Sequence, residues 1–386
     1  MRVAIVRQRY TPYGGAERFV ARALPALQAA GAEVSLLART WEGWGEGWGE
    51  GRSEQRVIRI DPPYVGNLWR DASFARAARR AWHGGRFDIV QSHERIPGCD
   101  IYRAGDGVHR RWLDIRMAAA SRTERIGIRL NPYHRYVCAA EKQMFEHPAL
   151  RAVICNSRMV QEEIRTAFRV DSRKLHLIYN GIDLEKFHPD LRRALVVPAR
   201  AELGLGAQDF VFLFVGSGYA RKGLAAVLAA LARVENPSVK LLVAGRDRRA
   251  SEYAGLAARL GVAQRVRMLG EREDVGPLYA AANCFILPTR YDPFPNTVLE
   301  AMAMGLPAIV SRRCGAAEII ESGENGWLCE PDTPEELAGI MLRAAETGRT
   351  DGFGVAARRT AQRFGMDDMA RQLMDLYSTL APAGRQ

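Results

Sequence analysis

Short apolar runs bounded by turn residues recur along nearly the whole chain and alternate with stretches of helical periodicity. In the first half, Val3–Val6, Val34–Ala38, Val57–Ile60, Asp88–Ser92 and Ala152–Asn156 read as strands. Helices are expected between them, notably at Ala16–Ala30 and Ser73–His83. Continuous apolar runs of this length suit strands buried on both faces, and their alternation with helices predicts βαβ units. The predicted class is α/β.

After Asn180-Gly181-Ile182-Asp183, a stretch with Pro189, Pro198 and several arginines reads as a connection. The pattern then restarts. Strands are expected at Phe210–Gly216, Val239–Ala244, Val266–Leu269, Cys284–Pro288 and Ala308–Ser311. Helices are expected at Gly223–Val234, Ser251–Leu260, Asp274–Ala282, Asn296–Met304 and Pro334–Glu346. Two such series predict two doubly wound, Rossmann-like domains facing a cleft, with the strand C-terminal ends directed into it. The first domain is expected over residues 1–185 and the second over 186–365. The amphipathic stretch Gly354–Leu380 reads as a helical pair, and residues 366–386 are expected to cross back to the first domain. Alternating glycines make Trp41–Gly51 a loop. Its tryptophans suit a sugar or a lipid interface, and equally a plain surface turn.

Composition narrows the partners. Lys plus Arg number 55 against 44 Asp plus Glu, a surplus of +11 that favours nucleic acid, phosphate-bearing small molecules or an acidic membrane surface. No run approaches the ~18 apolar residues of a membrane-spanning helix. The first strand is too short and too soon polar for a signal-peptide core. The six cysteines include no Cys-x-x-Cys pair, and three lie in strand-like runs as small core residues. The expectation is a reduced, cytosolic, zinc-free protein.

Three segments carry candidate chemistry. Tyr13-Gly14-Gly15-Ala16 follows the first strand and opens a helix, where close backbone approach and helix N–H groups suit an anion. It lacks the spacing of a dinucleotide fingerprint, and a plain strand-to-helix turn would read the same. Val215–Gly223 holds the corresponding place in the second domain, with Arg221 and Lys222 suited to a diphosphate. Adjacent cations opening a helix oppose its dipole and are better explained by a ligand's negative charge. The third segment, Asp292 to Glu300, puts carboxylates in a loop and in the following helix. The helix start at Asn296 and Thr297 lies between them, an arrangement that suits a sugar nucleotide.

The acid, the Glu eight positions on and the following Ala301-Met302-Ala303-x-Gly305-x-Pro307 resemble the nucleotide-sugar site of retaining glycosyltransferases of the two-domain GT-B fold, family 4. The motifs Tyr10-x-Pro-x-Gly-Gly-x-x-Arg18, Trp41-Glu-Gly43 and Pro97-Gly-x-Asp100-x-Tyr102-x-Ala-x-Asp106 are similar to those of the bacterial lipopolysaccharide core glucosyltransferase I group. The resemblance implies that Glu300 holds the ribose hydroxyls and that Arg221 and Lys222 neutralise the departing diphosphate. Gly14 and Gly15 would let the first domain close on the phosphates. Asp292 stands where the family has Glu, one methylene longer, in contact with the donor sugar. Phe294, Pro295, Asn296 and Thr297 are assigned to the donor with it. Asp106 matches the position that approaches the anomeric carbon, as nucleophile, base or electrostatic support, with His93 and His109 as local competitors.

Fixed cations can stabilise a diphosphate leaving group without a metal, and the absence of any Asp-x-Asp fits metal-free transfer. No cofactor is expected beyond the UDP-sugar donor. Residues 103–135 carry eight arginines interleaved with Trp112, Leu113, Ile115, Met117, Ile126, Ile128 and Leu130. That mixture suits an anionic bilayer presenting a lipid-linked glycan acceptor, with Arg103, His109, Arg110, Arg111 and Trp112 as contacts. A basic helix pair on the cleft wall is the plainer reading. The expected activity is transfer of a hexose, glucose first, to inner-core heptose at the inner face of the cytoplasmic membrane. Another hexose or N-acetylhexosamine transferred to a different surface glycan is the nearest alternative. A nucleic-acid binder would explain the charge but not the Asp292–Glu300 pair, so no nucleic acid is expected. A non-catalytic membrane scaffold is the remaining class.

Overall fold

The structure is a computed structural model describing residues 1–10, 31–41, 56–85, 87–347 and 351–380. The chain divides into two compact units, Met1–Gly181 with Asp367–Gln386, and Ile182–Met366. The expected helix Ala16–Ala30 and the loop beyond Trp41 lie outside the described residues.

Unit 1 runs β1 (Arg2–Val6), β2 (Arg9–Tyr10), β3 (Glu33–Ala38), β4 (Thr40–Trp41), β5 (Arg56–Arg59), α1 (Gly66–Gly84), β6 (Ile89–Ser92) and β7 (Ile101–Arg103). It continues through α2 (His109–Ala119), α3 (Arg122–Leu130), α4 (Pro132–Phe145), β8 (Ala152–Cys155), α5 (Arg158–Ala167) and β9 (Leu175–Leu177). Its main sheet is parallel throughout, in the order β5-β3-β1-β6-β7-β8-β9, with β2 and β4 paired separately. Alternate residues of each strand feed opposite faces, as the two-residue pleat requires. Val3, Ile5, Leu36, Ile89 and Ile154 pack with Met369, Leu373, Leu376 and Tyr377 of the C-terminal helix Met366–Leu380. On the other face, Ala4, Val6, Leu37, Val90 and Val153 pack with Phe74 and Trp82 of α1, Met144 of α4 and Ile164 of α5.

Unit 2 runs α6 (Pro189–Glu202), β10 (Phe210–Val215), α7 (Tyr219–Lys222), α8 (Leu224–Arg233), β11 (Val239–Ala244), α9 (Ala250–Arg259), β12 (Val266–Gly270) and α10 (Gly276–Ala281). Then follow β13 (Cys284–Leu287), α11 (Asn296–Ala303), β14 (Ala308–Ser311), β15 (Gly326–Cys329), α12 (Pro334–Thr347) and α13 (Asp351–Gln362). The sheet is again parallel, ordered β12-β11-β10-β13-β14-β15. Every residue of β10 is buried.

The strand order reverses between β1 and β6 in unit 1 and between β10 and β13 in unit 2. Adjacent strands leave such a switch point toward opposite faces, so their C-terminal loops part and open a crevice. Both units are therefore predisposed to bind at that edge.

The expected connection after Asp183 is instead helix α6. Pro189 sits in its first turn, where a missing N–H costs nothing, and the His188 ring accepts from the Asp190 N–H. Pro198 lies inside it, yet Arg192 and Arg200 tie the helix to the carbonyls of Ala282 and Ala281 at the end of α10. Tertiary contacts override the local signal. Strands β2, β4, β7, β9 and β15 lie outside the segments that the apolar pattern marks.

The side chain of Leu373 is 1% exposed. Leu373→Ala is expected to destabilise unit 1 by about 2–5 kcal/mol. Amide hydrogen exchange should quicken in β1 and β3 while protection in β10 and β13 holds.

Candidate active site

In unit 2, the chain leaving β10 turns sharply through Gly216 and Gly218 into α7. A Cβ at Gly223 (φ +83°) would lie 2.2 Å from the Pro288 carbonyl oxygen, so only glycine lets this loop press against the exit of β13. The Arg221 carbonyl accepts from the Arg290 N–H (2.8 Å) and the Thr289 hydroxyl (2.9 Å). Asp247 accepts from the Tyr219 N–H at 2.6 Å and caps the turn, while the Tyr219 hydroxyl donates to the Gly245 carbonyl. Two loops from strands adjacent in the sheet are thereby locked together.

Their charges converge on one atom. Asp292 Oδ2 accepts from Arg221 Nη1 at 3.1 Å and from Lys222 Nζ, and Arg221 also donates to the Tyr291 carbonyl. Burial alone would raise the Asp292 carboxyl, but Lys222 and Arg221 outweigh it and hold it below the usual carboxylate value. Two cations on one carboxylate leave a local excess of positive charge, with Arg221 the more exposed of the pair.

Beyond Asp292, α11 starts at Asn296 with no side-chain cap. The Thr297 hydroxyl is buried without a hydrogen-bond partner among the described residues. Glu300 is fully buried and accepts from the Tyr279 hydroxyl at 3.0 Å, which also reaches the Thr297 carbonyl at 3.3 Å. A buried carboxylate and a buried hydroxyl one helical turn apart form a polar pair in an otherwise apolar helix.

In unit 1, the corresponding loops carry a mixed cluster. Arg7, just past β1, lies 3.5 Å from Glu94 past β6 and 3.8 Å from Asp106 past β7. Glu94 also accepts from the Gln8 N–H at 2.9 Å. The Asp106 side chain is 55% exposed in a tight turn closed by the Gly107 N–H on the Ala104 carbonyl. His93 is buried. Its Nε2 lies 2.9 Å from the Gln91 side-chain nitrogen, and Gln91 Oε1 accepts from the Tyr377 hydroxyl at 2.6 Å. Burial, aided by Arg103 and Arg7, pushes the His93 imidazole well below its ordinary pKa, so it is neutral at pH 7. Burial likewise lowers His109 to about 4, with Arg95, His134 and Arg116 contributing. Glu141 fixes the start of α2. It accepts from the N–H groups of His109 (2.8 Å) and Arg110 (3.3 Å) and pairs with Arg95 at 2.9 Å.

A family model described as Glycosyltransferase Family 4 matches residues 13–186, and one described as Glycosyl transferases group 1 matches residues 209–347. The chain belongs to the GT-B glycosyltransferases. Among curated relatives, the lipopolysaccharide glucosyltransferase WaaG of Escherichia coli strain K12 is 24% identical over 353 residues, 89% of each chain. A D-inositol 3-phosphate glycosyltransferase of Jonesia denitrificans is 26% identical over 399 residues, 94% of this chain and 91% of the relative. The crystal structure of WaaG, a glycosyltransferase involved in lipopolysaccharide biosynthesis, superposes with a TM-score of 0.83 at 22% identity, covering 99% of this chain and 100% of that one. Anabaena HepE, solved with UDP and glucose, gives 0.72 at 22% identity, covering 98% and 99%. At these identities the structural likeness speaks for the fold.

Within this GT-B chain, the residues singled out in the sequence fall into separate groups. Arg221, Lys222 and Asp292 meet directly, and Thr297 and Glu300 lie on the helix that follows. Asp106 stands in a different cluster, with Arg7 and Glu94, while His93 and His109 are both held neutral. Gly14 and Gly15 lie outside the described residues. Phe294 is buried with its ring centroid 6.3 Å from that of Phe364, so its side chain belongs to the core, and Pro295 is the buried N-cap of α11.

Arg103 requires a correction. Its guanidinium is buried at the end of β7 and donates to Asn180 at 2.5 Å, so it cannot touch a bilayer. Arg110 and Arg111 are exposed, whereas Trp112 is half-buried. Of the apolar residues between the arginines, Leu113, Ile115 and Ile128 face the interior, and only Ile126 and Leu130 are largely exposed. Tyr279, Asp247 and Arg7 carried no motif. Each acts on a residue far away in sequence, which no local spacing reveals.

Because the folded Asp292 carboxyl titrates below its unfolded value, its pairing stabilises the fold above about pH 4. That stability is lost as pH falls through the folded value. Lys222→Met leaves Arg221 as the remaining partner and should cost about 3 kcal/mol. It should also move the onset of acid unfolding to higher pH, checked by denaturant titrations across pH 3–7.

Proposed function

We propose that this protein transfers a hexose, glucose first, from a UDP-sugar to a lipid-linked acceptor, with retention of configuration and without a metal. The observation that carries the reading is the polar cluster at the β10–β13 switch point. There, two cations, an uncapped helix start, a hydroxyl unpartnered among the described residues and a buried glutamate share one sheet edge. A nucleotide sugar matches it group by group. Its diphosphate suits Arg221 and Lys222, its ribose hydroxyls suit Glu300, and Asp292 keeps both cations extended toward the phosphates. Glycosidic cleavage leaves two negative charges on the diphosphate, and fixed cations can meet them in place of a metal.

Asp106 is proposed to act at the anomeric carbon. Its carboxylate is exposed while Arg7 restrains it, and His93 and His109, both neutral, are less suited to balance an oxocarbenium-like centre. The name of WaaG supports a lipopolysaccharide acceptor, and we place inner-core heptose first. The exposed Ile126 and Leu130 beside Arg122, Arg125 and Arg129 on α3 support contact with an anionic membrane, taken to be the inner face of the cytoplasmic membrane. Among the described residues no helix is long and apolar enough to cross a membrane.

Calorimetric titration with UDP, GDP and ADP, each with and without magnesium, should give binding of UDP alone, independent of metal. Preference for GDP or ADP would replace the donor, and turnover on D-inositol 3-phosphate would replace the acceptor. Glu300→Gln keeps the shape of the side chain but should weaken UDP about tenfold or more. Asp106→Ala should bind UDP as the parent does and lose transfer by about 10²–10⁴-fold. Full activity would dismiss it from the reaction.

A further inference from the structure

Asp106 lies in the turn between β7 and α2, and the backbone of that turn is gripped from outside it. Gly107 takes φ +68°, a left-handed conformation that side chains strain, and its N–H donates to the Ala104 carbonyl at 3.2 Å. The Gly107 carbonyl accepts from Arg95 Nη2 at 3.0 Å. There α2 begins, and its N-cap, Val108, has no side-chain oxygen to offer the first amides. Glu141 on α4 supplies one from 32 positions beyond His109. Its Oε1 accepts from the His109 N–H at 2.8 Å and its Oε2 from the Arg110 N–H at 3.3 Å. Oε1 also accepts from Arg95 Nε at 2.9 Å, so one carboxylate joins both holds on the turn.

Glu141 is not placed as a substrate-binding acid. Its side chain is 1% exposed, and both its oxygens are taken up by donors of the chain itself. Nor does the turn need it for closure, which the Gly107 N–H already provides. What Glu141 adds is placement. Arg95 shares a loop with Glu94, which lies 3.5 Å from Arg7, and Arg7 lies 3.8 Å from Asp106. The loop after β6 therefore steadies the Asp106 side chain through Arg7 and the Asp106 backbone turn through Arg95. An exposed carboxylate on an unsupported turn would wander, and a shift of about 1 Å at a reacting group costs about a hundredfold in rate.

We propose that Glu141 is a positioning residue for glycosyl transfer. Through Arg95 and the first amides of α2 it sets where the Asp106 carboxylate stands, and so governs turnover without touching substrate. This role rests on the assignment of Asp106 to the reaction and not on the donor contacts of unit 2.

The test compares the full chain with Glu141→Gln, Asp106→Ala and the double variant. It follows UDP release from UDP-glucose with an inner-core heptose oligosaccharide as acceptor. Glutamine keeps the size of the side chain, but its single carbonyl oxygen cannot accept from Arg95, His109 and Arg110 together. Glu141→Gln should lower kcat about 10–100-fold, while KM for UDP-glucose and Kd for UDP stay within about twofold of the parent. In the Asp106→Ala background the same substitution should cost less than about twofold, because the group it places is gone. Amide exchange over residues 104–110 needs no substrate and should quicken in Glu141→Gln. Should that variant prove too unstable to assay, Arg95→Lys takes its place. It keeps a cation at Glu141, loses the fork that also reaches the Gly107 carbonyl, and should lower kcat about tenfold. Unchanged kcat, a loss confined to KM, equal losses with and without Asp106, or unchanged amide exchange overturns the proposal. Full activity of Asp106→Ala would remove the Asp106 assignment, and the positioning role with it. Failure of the parent to release UDP while the exchange response holds would count against the donor and acceptor assignment alone.

Discussion

A strand hydrogen-bonded on both sides and covered on both faces has only its ends left for chemistry. The sheets of this protein are built of such strands, and in β10 all six residues are buried. Everything reactive is consequently displaced to the C-terminal edges. Arg7 and Gln8 follow β1, Glu94 follows β6, Asp106 follows β7, Lys222 follows β10 and Asp292 follows β13. The switch points then choose among the edges, because only there do neighbouring loops diverge enough to admit a ligand.

Placing charge at such an edge raises the question of what holds it when no ligand is bound. In unit 2 the answer is Asp292. A carboxylate 5% exposed would be costly alone, and so would the buried Lys222 ammonium. Together they form a compact cluster with a net positive charge, anchored to the backbone through the Tyr291 carbonyl and the loop packing around Gly223. An aspartate suits this arrangement because its short side chain keeps the carboxylate close to the loop, within reach of Lys222. Asp292 thus organises the two cations. In unit 1 the same problem is solved with opposite signs, since Glu94 and Asp106 flank Arg7 and leave the excess negative.

The α/β class, the two series of strands and the Asp292–Glu300 segment were legible because each depends on local pattern. Continuous apolar runs mark central strands, and loop carboxylates followed by a helix mark an edge site. What was illegible depends on partners far off in sequence. Arg103 reads as one more arginine in a basic stretch until β7 buries it against Asn180, 77 positions away. Helix α6 carries two prolines, and its formation is decided by carbonyls at the end of α10. Tyr279 has no motif at all, yet its hydroxyl fixes the Glu300 carboxylate. The apolar residues of 103–135 illustrate the same limit. Composition alone suggests a bilayer face, but the turn of each helix sends Leu113, Ile115 and Ile128 inward.

The surplus of +11 likewise divides once each arginine has an address. In unit 2 several are internal ties at helix C-termini, where carbonyls lack intrahelical partners and the dipole favours a cation. Arg265 donates to the Leu231 and Val234 carbonyls at the end of α8. Arg358 donates to Ala303 at the end of α11, and Arg200 to Ala281 at the end of α10. In unit 1, Arg39 and Arg95 are spent on Asp61 and Glu141. These residues raise the formal charge without offering it to a ligand. Arg76, Arg79 and Arg80 on α1 differ in that no carbonyl or carboxylate among the described residues takes them up, and Arg221 differs in reaching the edge of its sheet half-exposed. Net charge therefore says little about partners until the structural arginines are set aside. Among the described residues, exposed cations such as those on α1, on α3 and at the β10 edge are the ones open to an external anion.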